Sequence, residues 1–508
     1  MPLPGRIQWI DRFVGYSDIV NQDDPPKVTN DLNNVKLRFG RLKGRGGCSK
    51  YQSISTAAGA SIIGLFNYRQ ADGSHDLIRL LRNGLEHISG GVWTSIEGTA
   101  LSTVAETAQP QSTIIDDTLI FTNGTDRPQK YDGTTNSSPI ASGTAPYCKS
   151  LIAYVGFLFA INVSDNGTFT DVFDGHRTGR YNDDWDTNWD VCDIQEIVLD
   201  ETPGAWLNAA VIGRDMWCLK SDGVVKVTFT PNAARFNQVL QPVDAGILAP
   251  LSLAVLGNSM AFFLGTDGVV YQITANGVEA ISYDQLSSLL PDTFSLSKLN
   301  YARGMVDPQN DTYYLFYDRT GLSNQLLNSY VAYNYRTKEW TKGTLGININ
   351  ACVDFKATDA SAQQLIIATP TLVENFDTTS ITDDGTAFSR YYTTNWQKLK
   401  EEGWFFGADI VAKRSSRTSI KVSVAYDGSP TFRYDRVFTL AGGSVNDSTV
   451  TLQFRVPPCN VGTVNLKIVM LHQNANSTSE VQRVGFWTQP RQPVDFGPQR
   501  GQAQGGRN

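Results

Sequence analysis

The feature that most constrains this chain is a strand-and-turn unit that returns at nearly even spacing. Asp132, Asp174, Asp222 and Asp267 each precede a glycine, and they lie 42, 48 and 45 residues apart. Short apolar runs flank these turns. Thr118-Leu119-Ile120-Phe121-Thr122 runs into Asn123-Gly124, Met216-Trp217-Cys218-Leu219 into Ser221-Asp222-Gly223, and Ala261-Phe262-Phe263-Leu264 toward Asp267-Gly268. Asp-Gly and Asn-Gly supply the φ > 0 residues of a type I′ turn, so each unit reads as a hairpin. A four-stranded blade takes roughly 40 to 50 residues. Residues 51–385 therefore read as an all-β, β-propeller-like domain of six or seven degenerate blades, six being the better count. A series of plain β-sandwiches is the competing fold.

The flanks differ in pattern. Residues 1–50 read as an irregular N-terminal arm, with a turn or extended segment at Asp23-Asp24-Pro25-Pro26 and a short strand through Val35, Leu37 and Phe39. Residues 386–489 hold long alternating stretches, 421–426, 448–456, 464–470 and 481–486, which predict a C-terminal β-sandwich. Residues 490–508 are mostly Gln, Gly, Pro and Arg and predict a disordered tail. One short helix is expected over 282–290, with Ser282 and Gln285 at capping-box spacing and Pro291 as a stop.

Composition narrows the function. Net charge is −7 and pI about 5.3, which is not the footprint of a protein that grips a phosphate backbone. It is compatible with a surface that nucleic acid slides past. The six cysteines are scattered without a C-x-x-C pair, so buried thiols are expected rather than zinc. The opening MPLPGRIQWIDRF has no apolar core of a signal peptide, and no apolar run approaches the roughly 18 residues of a membrane span. Folding in a cytoplasm is the expectation.

Catalytic signals are weak. The four histidines, His75, His87, His176 and His472, have no metal spacing. There is no G-x-S-x-G nucleophile elbow, no phosphate loop and no dinucleotide fingerprint. No cofactor, resident metal or catalytic residue is assigned, and a non-enzyme is expected.

Two segments are candidate sites. Lys36, Arg38, Arg41, Lys43 and Arg45 form a basic stretch that reads either as an edge strand guarded by charge or as a docking arm for an acidic partner surface. Asp183, Asp184, Trp185, Asp186, Trp189 and Asp190 form an acidic, Trp-bearing loop. Its carboxylates can collect Ca²⁺, which takes about six to eight oxygens, although the glycine and terminal Glu of an EF-hand are missing. Its tryptophans can stack on a sugar, or simply pack inward.

The pattern Asn33-Asn34-Val35-x-x-x-x-Gly40-x-Leu42-x-x-Arg45-Gly46-Gly47 resembles the N-termini of tail tube and nozzle proteins of short-tailed bacteriophages. So does Leu119-Ile120-Phe121-Thr122-Asn123-Gly124-Thr125-Asp126-Arg127-Pro128 leading to Tyr131-Asp132-Gly133. Gly246-Ile247-Leu248-Ala249-Pro250-x-Ser252 followed by residues 262–271 resembles a blade of phage tail-hub and DNA-stabilisation proteins. The resemblance implies a structural virion protein: a ring, expected as a homohexamer, below the portal and adaptor proteins. Such a ring extends the DNA channel, retains packaged DNA and passes it at DNA ejection, without sequence-specific binding. Contacts with tail fibres or other tail proteins, and location in the virion tail after synthesis in the host cytoplasm, follow from the same resemblance. The chain is shorter than the large nozzle proteins, which puts their platform domains for fibre attachment in question. The alternative is a glycan-binding or glycan-cleaving propeller acting in host receptor recognition; an intracellular propeller scaffold is a third reading.

Overall fold

A computed structural model of the chain describes residues 6–18, 28–51, 60–165, 167, 178–187, 189, 196–231, 235–283, 285–286, 299–318, 327–413, 418–440, 449–472 and 480–490. The Asp23–Pro26 turn, Asp174, His176, Asp190, Cys192 and the tail from 491 lie outside these residues.

Seven four-stranded antiparallel sheets form the propeller. Their first strands are Ile62–Arg69, Gln111–Ile115, Tyr147–Tyr154, Trp206–Ile212, Ala254–Leu256, Arg303–Asp307 and Ala351–Phe355, numbered here as blades 1 to 7. Successive blades pack against one another, and Ala351–Phe355 packs against Ile62–Arg69 to close the circle. Second strands such as Met260–Leu264 and Gln364–Ala368 are buried along most of their length. Both their faces meet neighbouring blades, which is why they read as unbroken apolar runs.

The seventh blade explains the ambiguous count. Its outer strand is Ser49–Lys50, from ahead of blade 1, with Lys50 opposite Glu374 and Ser49 opposite Asn375. A strand contributed from so far away leaves no local period to read.

The turns carry a correction. Gly73, Gly124, Gly133 and Gly268 have φ between 74° and 85°, but the preceding Asp or Asn does not have positive φ. These are not type I′ turns. The Asp or Asn side chain instead accepts backbone N–H groups two or three residues on: Asp132 from Thr134 and Thr135 at 2.9 and 2.7 Å, Asp267 from Val269 at 3.0 Å, Asn123 from Thr125 at 3.0 Å. The residue is there as an Asx-turn acceptor, and glycine supplies the left-handed step. The two-residue I′ geometry occurs at Asp116-Asp117 and Val155-Gly156, and the expected Asp-Gly form of it at Asp384-Gly385, which joins Thr382–Asp383 to Thr386–Ala387. The turns of Asp222 and Asp267 are equivalent, each joining second to third strand in blades 4 and 5. Asp132 lies one turn later in blade 2, where Asn123-Gly124 holds the equivalent place.

Among the described residues, the N-terminal segment is not an irregular arm. Arg6–Ile10, Leu32–Asn33, Val35–Arg38 and Arg41–Gly44 are strands of one ten-stranded antiparallel sheet shared with the C-terminal residues. The stretches 448–456 and 464–470, expected as two strands, fall in one strand, Thr449–His472, with residue 448 outside the described set. It pairs first with Gln397–Lys413 and then with Thr418–Tyr426. A single apolar core runs from Phe262, Tyr313 and Trp340 of blades 5 and 6 through Phe13 and Tyr16 to Phe405, Ile410, Phe454 and Ile468 of this sheet. In the expected helix, Ser282 takes a different role: its hydroxyl accepts the Val270 N–H at 2.8 Å rather than capping. Residues 287–290 lie outside the described set.

Blade 7 contains a pH-sensitive group. Glu374 is fully buried opposite the closing strand, and neither carboxyl oxygen has a hydrogen-bond partner among the described residues. Burial first, then Asp384 and Asp383, push its carboxyl from 4.5 up to about 7, with Lys50 opposing. Between those values the folded chain holds a proton that the unfolded chain has lost. Its contribution to stability is therefore full below pH 4.5 and falls as pH rises to about 7. Glu374→Gln is expected to flatten this slope and to raise stability at pH 8 by about 2 kcal/mol. Urea unfolding of both proteins at pH 5 and pH 8 checks this; equal slopes would contradict it.

Candidate functional site

The basic stretch folds as a hairpin in which Val35 faces Gly44, Lys36 faces Lys43, Leu37 faces Leu42 and Arg38 faces Arg41. Residues opposite each other in an antiparallel pair project to the same side, and every second residue shares it. One face therefore carries Val35, Leu37 and Leu42, which are buried in the core. The other carries four cations, Lys36, Arg38, Arg41 and Lys43. The turn is Phe39-Gly40, with φ of 52° and 72°, the type I′ pair. A Cβ on Gly40 would run into the Arg12 side chain. Phe39 is 75% exposed in this conformation, which bulky residues rarely adopt.

This cationic face borders a cleft of about 260 Å³, walled opposite by the turns of blade 6 at 308–312 and 334–337. The acids in the cleft are already paired. Asp311 meets Arg336 at 3.0 Å, and Glu339 meets Arg12 at 3.3 Å. Two of the cations also have acids of their own: Lys36 contacts Asp377, and Arg41 meets Glu480 at 3.1 Å. Burial lowers the Lys36 ammonium to about 7; Asp307 opposes the shift, while Lys43, Arg45 and Arg38 add to it. Arg38 lies 5.7 Å from the Phe39 ring. Neither Arg38 nor Lys43 forms an ion pair among the described residues.

Arg45 does not belong to this face, which corrects its place in a docking arm. It is fully buried, with Nη1 and Nη2 donating to Asp383 at 3.1 and 2.8 Å and Nε donating to Asn34 at 3.2 Å. Its guanidinium stacks 4.1 Å from the Phe388 ring. Its work is internal.

The acidic loop is divided. Asp183 and Asp184 are exposed, and Asp184 accepts the Thr187 hydroxyl within its own turn. Asp186 pairs with Lys130 at 2.6 Å. Trp185 and Trp189 are 7% and 4% exposed and pack with Ile115, Ile120 and Leu158. The Trp185 indole donates to Asp116 at 3.0 Å, and that of Trp189 donates to the Trp185 carbonyl. The rings are thus core residues rather than a sugar platform. Among the described residues no three His, Cys, Asp or Glu side chains gather as a metal site. What sequence reading missed is the second wall of the cleft: nothing in 308–312 or 334–337 marks them as neighbours of residue 36.

No protein-family profile and no curated protein matches the sequence. Solved structures similar to the chain include a WD40 domain. BBS1N, in complex with ARL6DN, is 13% identical over 66% of this chain and 96% of its own, with a TM-score of 0.39. The Pan2 WD40 domain of Neurospora crassa is 10% identical over 66% and 95%, with a TM-score of 0.38. YCF48 from Cyanidioschyzon merolae is 10% identical over 65% and 98%, also at 0.38. At these identities the likeness is one of fold alone.

Proposed function

We propose that this chain is a structural subunit of a short-tailed bacteriophage tail, a nozzle or hub protein rather than an enzyme. In this reading it assembles as a homohexameric ring below the portal and adaptor, prolongs the DNA channel, and helps retain and then pass the genome. The observation that carries the reading is the physical role of the motif at 33–47. Asn34 and Arg45 are bonded to each other and buried, Val35 and Leu42 are core residues, and Gly40 makes the turn. Gly46 and Gly47 lie where a Cβ would strike the carbonyls of Thr378 and Thr382. The pattern that resembles phage tail proteins is thus the seam between propeller and C-terminal sheet. A subunit welded in this way suits a load-bearing ring, whose contacts must be heterologous and must close. A net charge of −7 suits a wall that DNA must pass without sticking. The glycan alternative draws no support from Trp185 and Trp189, since both rings are buried.

The test is the oligomeric state of the purified full chain. Sedimentation analysis is expected to give a closed oligomer several times the 55.8 kDa chain mass. A strictly monomeric species at high concentration would count against the ring.

A further inference from the structure

We infer that the cleft between the N-terminal hairpin and blade 6 is a docking site for an acidic segment of a partner protein, whose side-chain carboxylates seat between Arg38 and Lys43. The site goes beyond the ring reading and does not depend on it.

The first argument is charge against structure. Lys36 faces Lys43, and Arg38 faces Arg41, directly across the ladder. Like charges in that position destabilise a hairpin. Among the described residues, two of the four have acids beside them, Asp377 and Glu480. The core face fixes the strand register, so Arg38 and Lys43 cannot escape by slipping; a one-residue slip would expose Leu37 and Leu42. Arg38 and Lys43 stand diagonally across the ladder, each opposite the cation that has an acid of its own, and an anion seated between them would offset the charge that Asp377 and Glu480 leave uncompensated.

The second argument is the shape of the place. A volume of about 260 Å³ takes one or two side chains and does not take a nucleic-acid helix. The cleft's own acids are neutralised by Arg336 and Arg12, so they do not repel a carboxylate. Phe39 adds an exposed aromatic ring at the hairpin tip, beside the Arg38 guanidinium. Aromatic and Arg side chains together are the composition of energetic centres in protein interfaces. The net charge of −7 disfavours every polyanion alike, so attraction has to come from the local cations of the cleft, and a compact carboxylate side chain fits the space between them.

The experiment uses the intact chain and a fluorescein-labelled dodecapeptide rich in Asp and Glu, read by anisotropy. Saturable binding is expected, weakening as salt rises, and falling at least tenfold in the double variant Arg38→Gln, Lys43→Gln. Phe39→Ala is expected to weaken binding about fivefold with all charges in place. Unfolding midpoints of the variants, taken in parallel, separate loss of the site from loss of the fold. Absence of peptide binding, or binding indifferent to the double variant, overturns the inference. So does tighter binding of a single-stranded oligonucleotide that the same variant abolishes, since the cleft would then be a nucleic-acid site. Sedimentation of the double variant keeps this result apart from the ring, because assembly and peptide capture are read separately.

Discussion

Arg45→Met is expected to lower the stability of the intact chain by about 3–5 kcal/mol, measured by urea unfolding at pH 7. The side chain is fully buried and forms a two-pronged ion pair with Asp383, also fully buried. Removing the guanidinium leaves a carboxylate without its counter-charge in a dry setting. Among the described residues, Asp383 would keep the Cys48 and Gly346 N–H donors, at 3.1 and 2.9 Å. The damage would spread through the seam. The Arg45 carbonyl accepts Arg390 Nε at 2.7 Å, and Phe388 lies against both guanidiniums, 4.1 Å from that of Arg45 and 3.8 Å from that of Arg390. Adding Asp383→Leu to Arg45→Met is expected to recover part of the loss, because no charge is then stranded. About 2 kcal/mol should remain, since the two N–H donors lose their acceptor. A single variant that unfolds within about 1 kcal/mol of the parent would mean that the pair is not what fastens the seam.

Trp340→Ala is expected to cost a similar amount, about 3–5 kcal/mol, by opening a cavity in the core that joins blade 6 to the C-terminal sheet. The indole is fully buried and donates to the Ile281 carbonyl at 3.1 Å, and its ring lies 4.8 Å from that of Tyr333. The N-terminal segment crosses its backbone closely. Tyr16 N–H donates to the Trp340 carbonyl at 2.6 Å, and Gly15 has no room for a Cβ there. Hydrogen exchange should therefore quicken at residues 13–17 as well as in blade 6. Faster exchange in blade 6 alone would show that the segment is held by other contacts.

The readable part of the fold was the part built from local sequence. Asp222 and Asp267 mark equivalent turns because an Asx acceptor followed by glycine is a local requirement, and the runs between them are apolar because blades bury their middle strands. Asp132 misled the period by one turn, since Asp-Gly satisfies any such turn in a blade. The seventh blade depended on Ser49 and Lys50, more than 320 residues from their partners Glu374 and Asn375. No local pattern records that pairing. The same limit applied to the site. Alternation at Lys36, Arg38, Arg41 and Lys43 was visible, but Arg45 continued the run in sequence while turning into the core. The tryptophans of the acidic loop had no residue pattern to separate a platform from packing. Only the strands of blades 2 and 3 around them decide that.

The proposed function places this chain in the tail of an assembled particle. Imaging of purified short-tailed phage particles by cryo-electron microscopy tests it directly, with this chain located by a tag. The expected result is a symmetric ring of propellers coaxial with the portal, its sevenfold-bladed subunits surrounding the path of the DNA. Particles that carry no copy of the chain, or carry it only at the tips of peripheral fibres, would contradict the account.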